Sequence, residues 1–139
     1  MAVMHRTITG TATPEQVWKV LLDSEAFPAF MEGVSEVTVI DRDGERSGSS
    51  WVVELKGSEM EWDQEDVLDH AGRRWEFRQT EGDLAQYEGH WQVSEDPGGA
   101  ALELKVEFDV GLPMMAEMIH PAVAKALERY QQAIVAQSA

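Results

Sequence analysis

The chain has 139 residues and a formal net charge of −15, from 26 acids against 11 lysines and arginines. Such a field repels phosphate backbones and anionic lipid surfaces, so nucleic-acid binding is not expected. An apolar fraction of 43% suits one folded domain, no apolar run approaches bilayer-spanning length, and no membrane insertion is expected; the lack of cysteine removes disulfides and thiol nucleophiles and fits a reducing cytoplasm.

Met4 to Thr11 alternates as a first strand, and the opening MAVMHRTITGTA lacks the basic-then-apolar pattern of a secretory signal. Thr13 stands before PEQVWKVLLD as a helix cap, with Pro14 suited to the first helical position and Gln16 at capping-box spacing. Val17, Trp18 and Leu21 form the apolar stripe of this helix. SEAFPAFMEG, Ser24 to Gly33, starts with another cap residue and ends at glycine, which predicts a short second helix. Val34 to Ile40 reads as a strand and DRDGERSGSS as a polar loop.

From Trp51 onward the chain reads as a four-strand meander, with turns at Lys56–Glu59, Asp69–Gly72, Glu81–Asp83 and Asp96–Gly99. The first turn pairs Leu55 with Met60 and Val53 with Trp62, and the second pairs Asp66 with Trp75 and Gln64 with Phe77. The third pairs Phe77 with Tyr87 and Trp75 with Gly89, where the glycine leaves room on the inner face. The fourth pairs Trp91 with Leu104 and Tyr87 with Phe108. In every hairpin the apolar sets share one face, as a half-buried antiparallel sheet requires. The outer face then carries Glu65, Glu76, Glu88 and Glu107 side by side, a like-charge row offset diagonally by Arg74, Arg78 and Lys105. This reads as a solvated charge lattice, with divalent-cation binding as the alternative.

The last segment, GLPMMAEMIHPAVAKALERYQQAIVAQ, is helical, with Met115, Met118 or Ile119, Ala122, Ala126, Tyr130 and Ile134 near one stripe. Pro121 is expected to kink or split it. His120 falls between the stripe and the solvent face, suited to the surface or to a hydrogen bond at the kink. His90 points outward opposite Arg74 and Lys105 and is expected to be solvated. His5 and His70 have no ligand-like neighbours at metal spacing, so no structural zinc is expected. There is no Gly-rich phosphate loop, no G-x-S-x-G elbow and no H-E-x-x-H, which argues against nucleophilic and metal-assisted hydrolysis.

The element order, together with TATPEQVWKVLLDSEAFPAFMEGV, RRWEFRQTEGDLAQYEGHWQV and VEFDVGLP, resembles the START-like (SRPBCC) superfamily over nearly the whole chain. It looks closest to the branch of bacterial polyketide cyclase/aromatases and coenzyme Q-binding proteins. The resemblance implies a single-domain α+β helix-grip: a curved antiparallel sheet wrapped around a long C-terminal helix, with two short helices after the first strand. It also implies a deep apolar cavity between sheet and helix, holding a hydrophobic small molecule and no cofactor or metal. The inner face would then line that cavity through Trp51, Trp62, Gln64, Trp75, Phe77, Gln79, Tyr87 and Trp91, rather than pack as a dense core. Phe27, Phe30 and Met31 on the second short helix would form one lip, and Met114, Met115 and Met118 the other.

Two functions follow from the resemblance. The first is a polyketide cyclase, aromatase or dehydratase in which Tyr87, Gln64 and Gln79 hold carbonyl oxygens. Asp66 and Tyr87 are the candidates for moving protons, although Asp66, two residues before the LDHAG turn, also suits a solvated sheet end. The family's inward arginine is missing, which favours a less polar ligand. An acyl carrier protein is the usual partner of such enzymes; a chain at −15 repels it except through Arg73, Arg74 and Arg78. The second is a non-catalytic carrier of a quinone, lipid or polyketide product, which needs only the cavity and a few orienting polar groups. A monomer or a homodimer fits either.

Overall fold

A computed structural model of the protein describes residues 2–55, 57–111 and 113–139, with the backbone alone over 113–116. The first strand, β1 (Ala2–Gly10), leads into α1 (Pro14–Leu22) and a short 3-10 helix (Ser24–Ala29). Six strands follow: β2 (Val34–Asp43), β3 (Arg46–Leu55), β4 (Ser58–Asp69), β5 (Arg74–Gly82), β6 (Gln86–Asp96) and β7 (Gly99–Asp109). The chain ends in α2 (Pro113–Ser138). One seven-stranded sheet runs in the order β1-β7-β6-β5-β4-β3-β2 with every pair antiparallel. With α2 packed on β1, β7 and β3, this is the α+β helix-grip.

The predicted capping box is present: the Thr13 hydroxyl oxygen accepts the Gln16 N–H at 3.2 Å, and the Thr13 N–H donates to the Gln16 side chain at 2.9 Å. The second helix stops at Ala29, short of the predicted Gly33. The stretch read as a polar loop is instead most of a hairpin. Gly44, at φ 62°, lets β2 turn back into β3 with Asp43 opposite Arg46. The four turns after Arg46 join five strands rather than four.

The β6–β7 register is as predicted, with Trp91 opposite Leu104 and Tyr87 opposite Phe108. The other three hairpins are each shifted by two residues. In β3–β4 the link is tighter, setting Leu55 opposite Ser58 and Trp51 opposite Trp62. In β4–β5 the turn includes Arg73 at φ 50°, and Asp66 faces Phe77 rather than Trp75. In β5–β6, Trp75 faces Trp91 and Phe77 faces Gly89, because β5 leaves β6 after Arg78 and continues along β4. An even slip keeps every side chain on its face, so the inner and outer sets stand while their partners change.

Two corrections follow. The outer row is Glu65, Arg78, Glu88 and Glu107, since Arg78 takes the place predicted for Glu76 and pairs with Glu65 at 3.5 Å. That substitution of a cation into the row removes much of the expected repulsion. His90 is not free in solvent: its Nε2 lies 2.7 Å from Glu103, whose other oxygen lies 2.9 Å from His5. Hydrogen bonds from His5 and then His90 hold the Glu103 carboxyl below its ordinary range.

Helix α2 runs unbroken through Pro121. It buries Ala122, Val123, Ala126, Leu127, Tyr130, Gln131 and Ile134, while Met118 is 69% exposed and Ile119 is half-buried. The side chain at the predicted stripe position Met115 lies outside what is described. Gln131 is fully buried, and its amide donates to the carbonyls of Arg6 and Leu102 at 2.8 Å each, tying α2 to β1 and β7. His120 is half-buried; its Nε2 accepts the Val110 N–H at 3.3 Å, and its ring meets Phe108 edge-on.

Gly89 does not make room for Trp75. A β-carbon there would sit 1.9 Å from the Lys105 carbonyl oxygen, so glycine is required by the close approach of β6 to β7. Gly89→Ala should therefore destabilise the fold by about 2 kcal/mol or more, through forced separation of the two strands. Thermal unfolding checks this; an unchanged melting temperature would show that the backbone yields at no cost.

Candidate ligand-binding site

The shifted registers bring tryptophans together across strands. Trp51 stacks on Trp62 with ring centroids 5.9 Å apart and planes 4° from parallel, and Trp75 stacks on Trp91 at 6.2 Å and 21°. Tyr87 joins them at 4.9 Å from Trp62 and 5.2 Å from Phe77. Phe27 of the 3-10 helix closes over the array at 5.8 Å from Trp51 and 6.3 Å from Trp75. Such offset and tilted pairs add to the burial energy of the rings and fix their planes.

The polar atoms of these rings converge on one carboxylate. Trp75 donates its indole N–H to Asp66 Oδ1 at 2.8 Å, and the Gln64 amide donates to the same oxygen at 2.7 Å. The Ser49 hydroxyl donates to Asp66 Oδ2 at 2.7 Å. Trp51 donates to Ser49 at 2.9 Å and Trp62 to the Gln64 oxygen at 2.8 Å, so these two indoles are attached through relays, while Trp91 is held by stacking on Trp75. Asp66 is 4% exposed, far from the solvated sheet end its position suggested. Burial outweighs the hydrogen bonds from Ser49, Gln64 and Trp75 and raises the Asp66 carboxyl above its ordinary value of 3.8.

Between the rings and α2 lie two small spaces. One, of about 20 Å³, is lined by Phe27, Met31, Trp51, Trp62, Gln64, Trp75, Phe77, Tyr87, Trp91, Leu127 and Tyr130. The second, of about 30 Å³, borders it at Trp62, Tyr87, Leu127 and Tyr130 and continues along Val53, Leu55, Met60, Leu84, Val123 and Ala126. Each admits about one water, against the several hundred Å³ of a usual ligand pocket. The deep cavity implied by the resemblance is thus drawn nearly closed in this conformation.

Nine predicted lining residues meet at the first space: Phe27, Met31, Trp51, Trp62, Gln64, Trp75, Phe77, Tyr87 and Trp91. Phe30 packs behind them, edge-on to Phe27. Gln79 does not line either space: its amide donates to the Leu84 carbonyl at 2.7 Å and holds the β5–β6 connection in place. Met118 points to solvent, so it forms no lip, and the Met114 and Met115 side chains lie outside what is described. Arg6 sits opposite Leu104 in the inner-face register but reaches Glu128 on α2 at 3.6 Å rather than the spaces. The sequence reading missed Leu127 and Tyr130. Tyr130 was visible on the helical stripe, but nothing along the chain told that it would meet Tyr87.

Neither the Tyr87 nor the Tyr130 hydroxyl has a hydrogen-bond partner among the described residues. Burial, then the neighbouring Tyr130, pushes the Tyr87 phenol well above its ordinary range, and burial pushes Tyr130 up to about 12. Both are neutral donors at any physiological pH. A depression of about 480 Å³, far larger than either space, lies instead on the outer face of the sheet. It is open, and its charges pair with one another, as in Arg74–Glu76 at 3.0 Å and Arg78–Glu65 at 3.5 Å. An exposed lattice of paired charges encloses nothing, so the interior is the better candidate. No group of three or more His, Cys, Asp or Glu side chains among the described residues is placed to hold a metal ion, and no helix is long and apolar enough to cross a membrane.

Residues 11–135 match the family described as polyketide cyclase/dehydrase and lipid transport. Among solved structures, TTHA0849 from Thermus thermophilus superposes with a TM-score of 0.92 at 22% identity, over 99% of this chain and 97% of that one. The Zhui aromatase/cyclase from a Streptomyces species gives 0.90 at 19% identity over 99% and 93%. A START superfamily protein from Mycobacterium smegmatis gives 0.86 at 18% over 98% and 96%. No curated protein sequence matches the chain.

The Asp66 network carries a pH test. A raised acid pKa means the folded chain holds the proton more tightly than the unfolded chain, so stability falls as pH rises from about 4 through the folded value. Asp66→Asn keeps an acceptor for Gln64 and Trp75 and turns an N–H toward the Ser49 oxygen. It should raise stability at neutral pH and remove that loss. Thermal unfolding of both proteins from about pH 4 to about pH 8 checks this; parallel curves would show that Asp66 carries no such shift.

Proposed function

The chain belongs to the polyketide cyclase/dehydrase and lipid transport family, and on that premise we propose that it binds a polyketide-type hydrophobic molecule between the tryptophan face and α2, orienting it for cyclisation or dehydration. One observation carries this reading. The two unpartnered phenols, Tyr87 and Tyr130, face the same interior space, whereas Asp66, Gln64 and Ser49 are engaged with one another and with the indoles.

The chemistry that suits this arrangement is positioning. Stacked rings select a flat, unsaturated chain, and the phenols donate to its carbonyl oxygens. A hydrogen bond to a carbonyl strengthens as that oxygen takes on enolate charge, so it favours carbon–carbon bond formation between an enolate carbon and a neighbouring carbonyl. Binding requires Phe27 and Met31 on one side and Leu127 on the other to part from the sheet; the flexible Met31 thioether suits a wall that must adapt.

The substrate in this reading is free rather than carrier-bound. The basic cluster that would meet an acidic carrier protein is already paired: Arg73 with Glu15, Arg74 with Glu76 and Arg78 with Glu65. A carrier role without catalysis is favoured by a different fact. Asp66, the one carboxylate among the described buried residues, lines neither space. Among the described residues no carboxylate or imidazole lines either space, and a quinone- or lipid-like ligand would need none.

A polycyclic ketone such as an anthraquinone should quench the tryptophan fluorescence on titration, because four of the five tryptophans border the space. Tyr87→Phe and Tyr130→Phe should each weaken that binding about fivefold, the loss of one net hydrogen bond. With a poly-keto substrate mimic, Tyr87→Phe should lower kcat more than it raises Kd if the protein is a cyclase. Absence of quenching in the wild type would overturn the site itself.

A further inference from the structure

We infer that the interior is built for a two-part ligand: a flat unsaturated head among the tryptophans, a saturated hydrocarbon tail between β3–β4 and α2, and an oxygen at their junction. The inference rests on the site proposed above and goes further, since it assigns the second space its own ligand chemistry.

The two spaces differ in what they offer. The first is walled by ring faces, with Trp51 and Trp62 near parallel and Trp75 and Trp91 close to it. Ring faces reward a planar π-system. Beyond the shared residues, the second is walled by Val53, Leu55, Met60, Leu84, Val123 and Ala126. None of these has a ring or a polar side-chain atom. A buried carbonyl or hydroxyl there would go unpaired, at a cost of a few kcal/mol, whereas a methylene gains dispersion and burial. Aliphatic walls thus admit a saturated chain and reject an oxygenated one.

The partition between the spaces fixes where the oxygen sits. Tyr87 and Tyr130 border both, and their hydroxyls have no partner among the described residues. A carbonyl or hydroxyl on the ring carbon beside the tail would meet these donors, while the rest of the head remains over the indoles. Gln79 shapes the tail space indirectly, because its hydrogen bond to the Leu84 carbonyl fixes the segment that carries this lining residue. The ligand class is an alkyl-substituted hydroxyaryl ketone or quinone with oxygen adjacent to the alkyl chain.

The test uses the whole protein and a series of uncharged probes: 1,4-naphthoquinone and its 2-ethyl, 2-butyl and 2-hexyl derivatives, with Kd read by tryptophan quenching. In the wild type, Kd should tighten about fourfold for each added methylene over the first carbons, the burial gain per CH₂. Met60→Phe, and Leu55→Phe as a second variant on the partly buried rim of the same space, should flatten that slope; circular dichroism confirms that each is folded. Binding of the parent quinone with no gain from the chain would overturn the two-part ligand while leaving the site intact. An equal slope in wild type and both variants would overturn the placement of the tail. Failure of the parent itself to bind would overturn the proposed site.

Discussion

A single buried carboxylate organises the interior. Asp66 on β4 takes hydrogen bonds from Ser49 on β3, Gln64 on β4 and Trp75 on β5, and through the first two it also fixes Trp51 and Trp62. An indole has one donor and no acceptor, so a buried tryptophan is costly unless that donor is satisfied. Here three are satisfied by one anion and its relays. The charge is itself unfavourable in a dry site, as the raised Asp66 acidity constant records. It is retained where three strands meet, and it sets the plane in which each ring presents its face.

That hub also separates structural from functional polarity. Every donor it binds is withdrawn from ligand recognition, which leaves the Tyr87 and Tyr130 phenols, beside the Trp91 indole, as donors without a partner among the described residues of the first space. The two phenols stand on different elements, one on β6 and one on α2, so the helix contributes to the polar recognition as well as the lid over the sheet. A site whose donors are few, neutral and at one boundary reads position along the ligand rather than charge. This agrees with an inner face that turns no arginine into the spaces.

The elements and their buried faces were legible from hydrophobic alternation and caps, because both depend only on neighbours along the chain, whereas the helix-grip came from the family resemblance. Thr13, Pro14 and Gln16 show this for α1, and the inner and outer sets of β3 to β7 show it for the sheet. The cross-strand partners were not legible in three hairpins. Alternation has period two, so it cannot separate one register from another displaced by two residues. Turn composition had to decide, and the left-handed Arg73 and the early departure of β5 from β6 carry no clear signal in composition. The site suffered most from this. Trp51 opposite Trp62, Trp75 opposite Trp91, and Arg78 in the outer glutamate row all come from those slips. Gln131 was missed for another reason: a polar residue on a helix stripe looks solvated until its partners, here the Arg6 and Leu102 carbonyls, are known.

The near-closure of the interior is consistent with binding because of how α2 is held. Among the described residues its polar tethers run to one side of the sheet: Gln131 to Arg6 and Leu102, Glu128 to Arg6, and His120 to Val110 just past β7. Over β3 and β4 the helix meets the sheet through Val123, Ala126, Leu127 and the Tyr130 ring, all apolar surface. Breaking a buried hydrogen bond leaves groups that an apolar ligand cannot satisfy. Separating apolar surfaces costs burial that the same ligand restores when it fills the gap. Ligand binding therefore favours parting α2 from β3 and β4 while the contacts to β1 and β7 persist. The second space lies on the side that yields, and the first adjoins it from β3 across to β6.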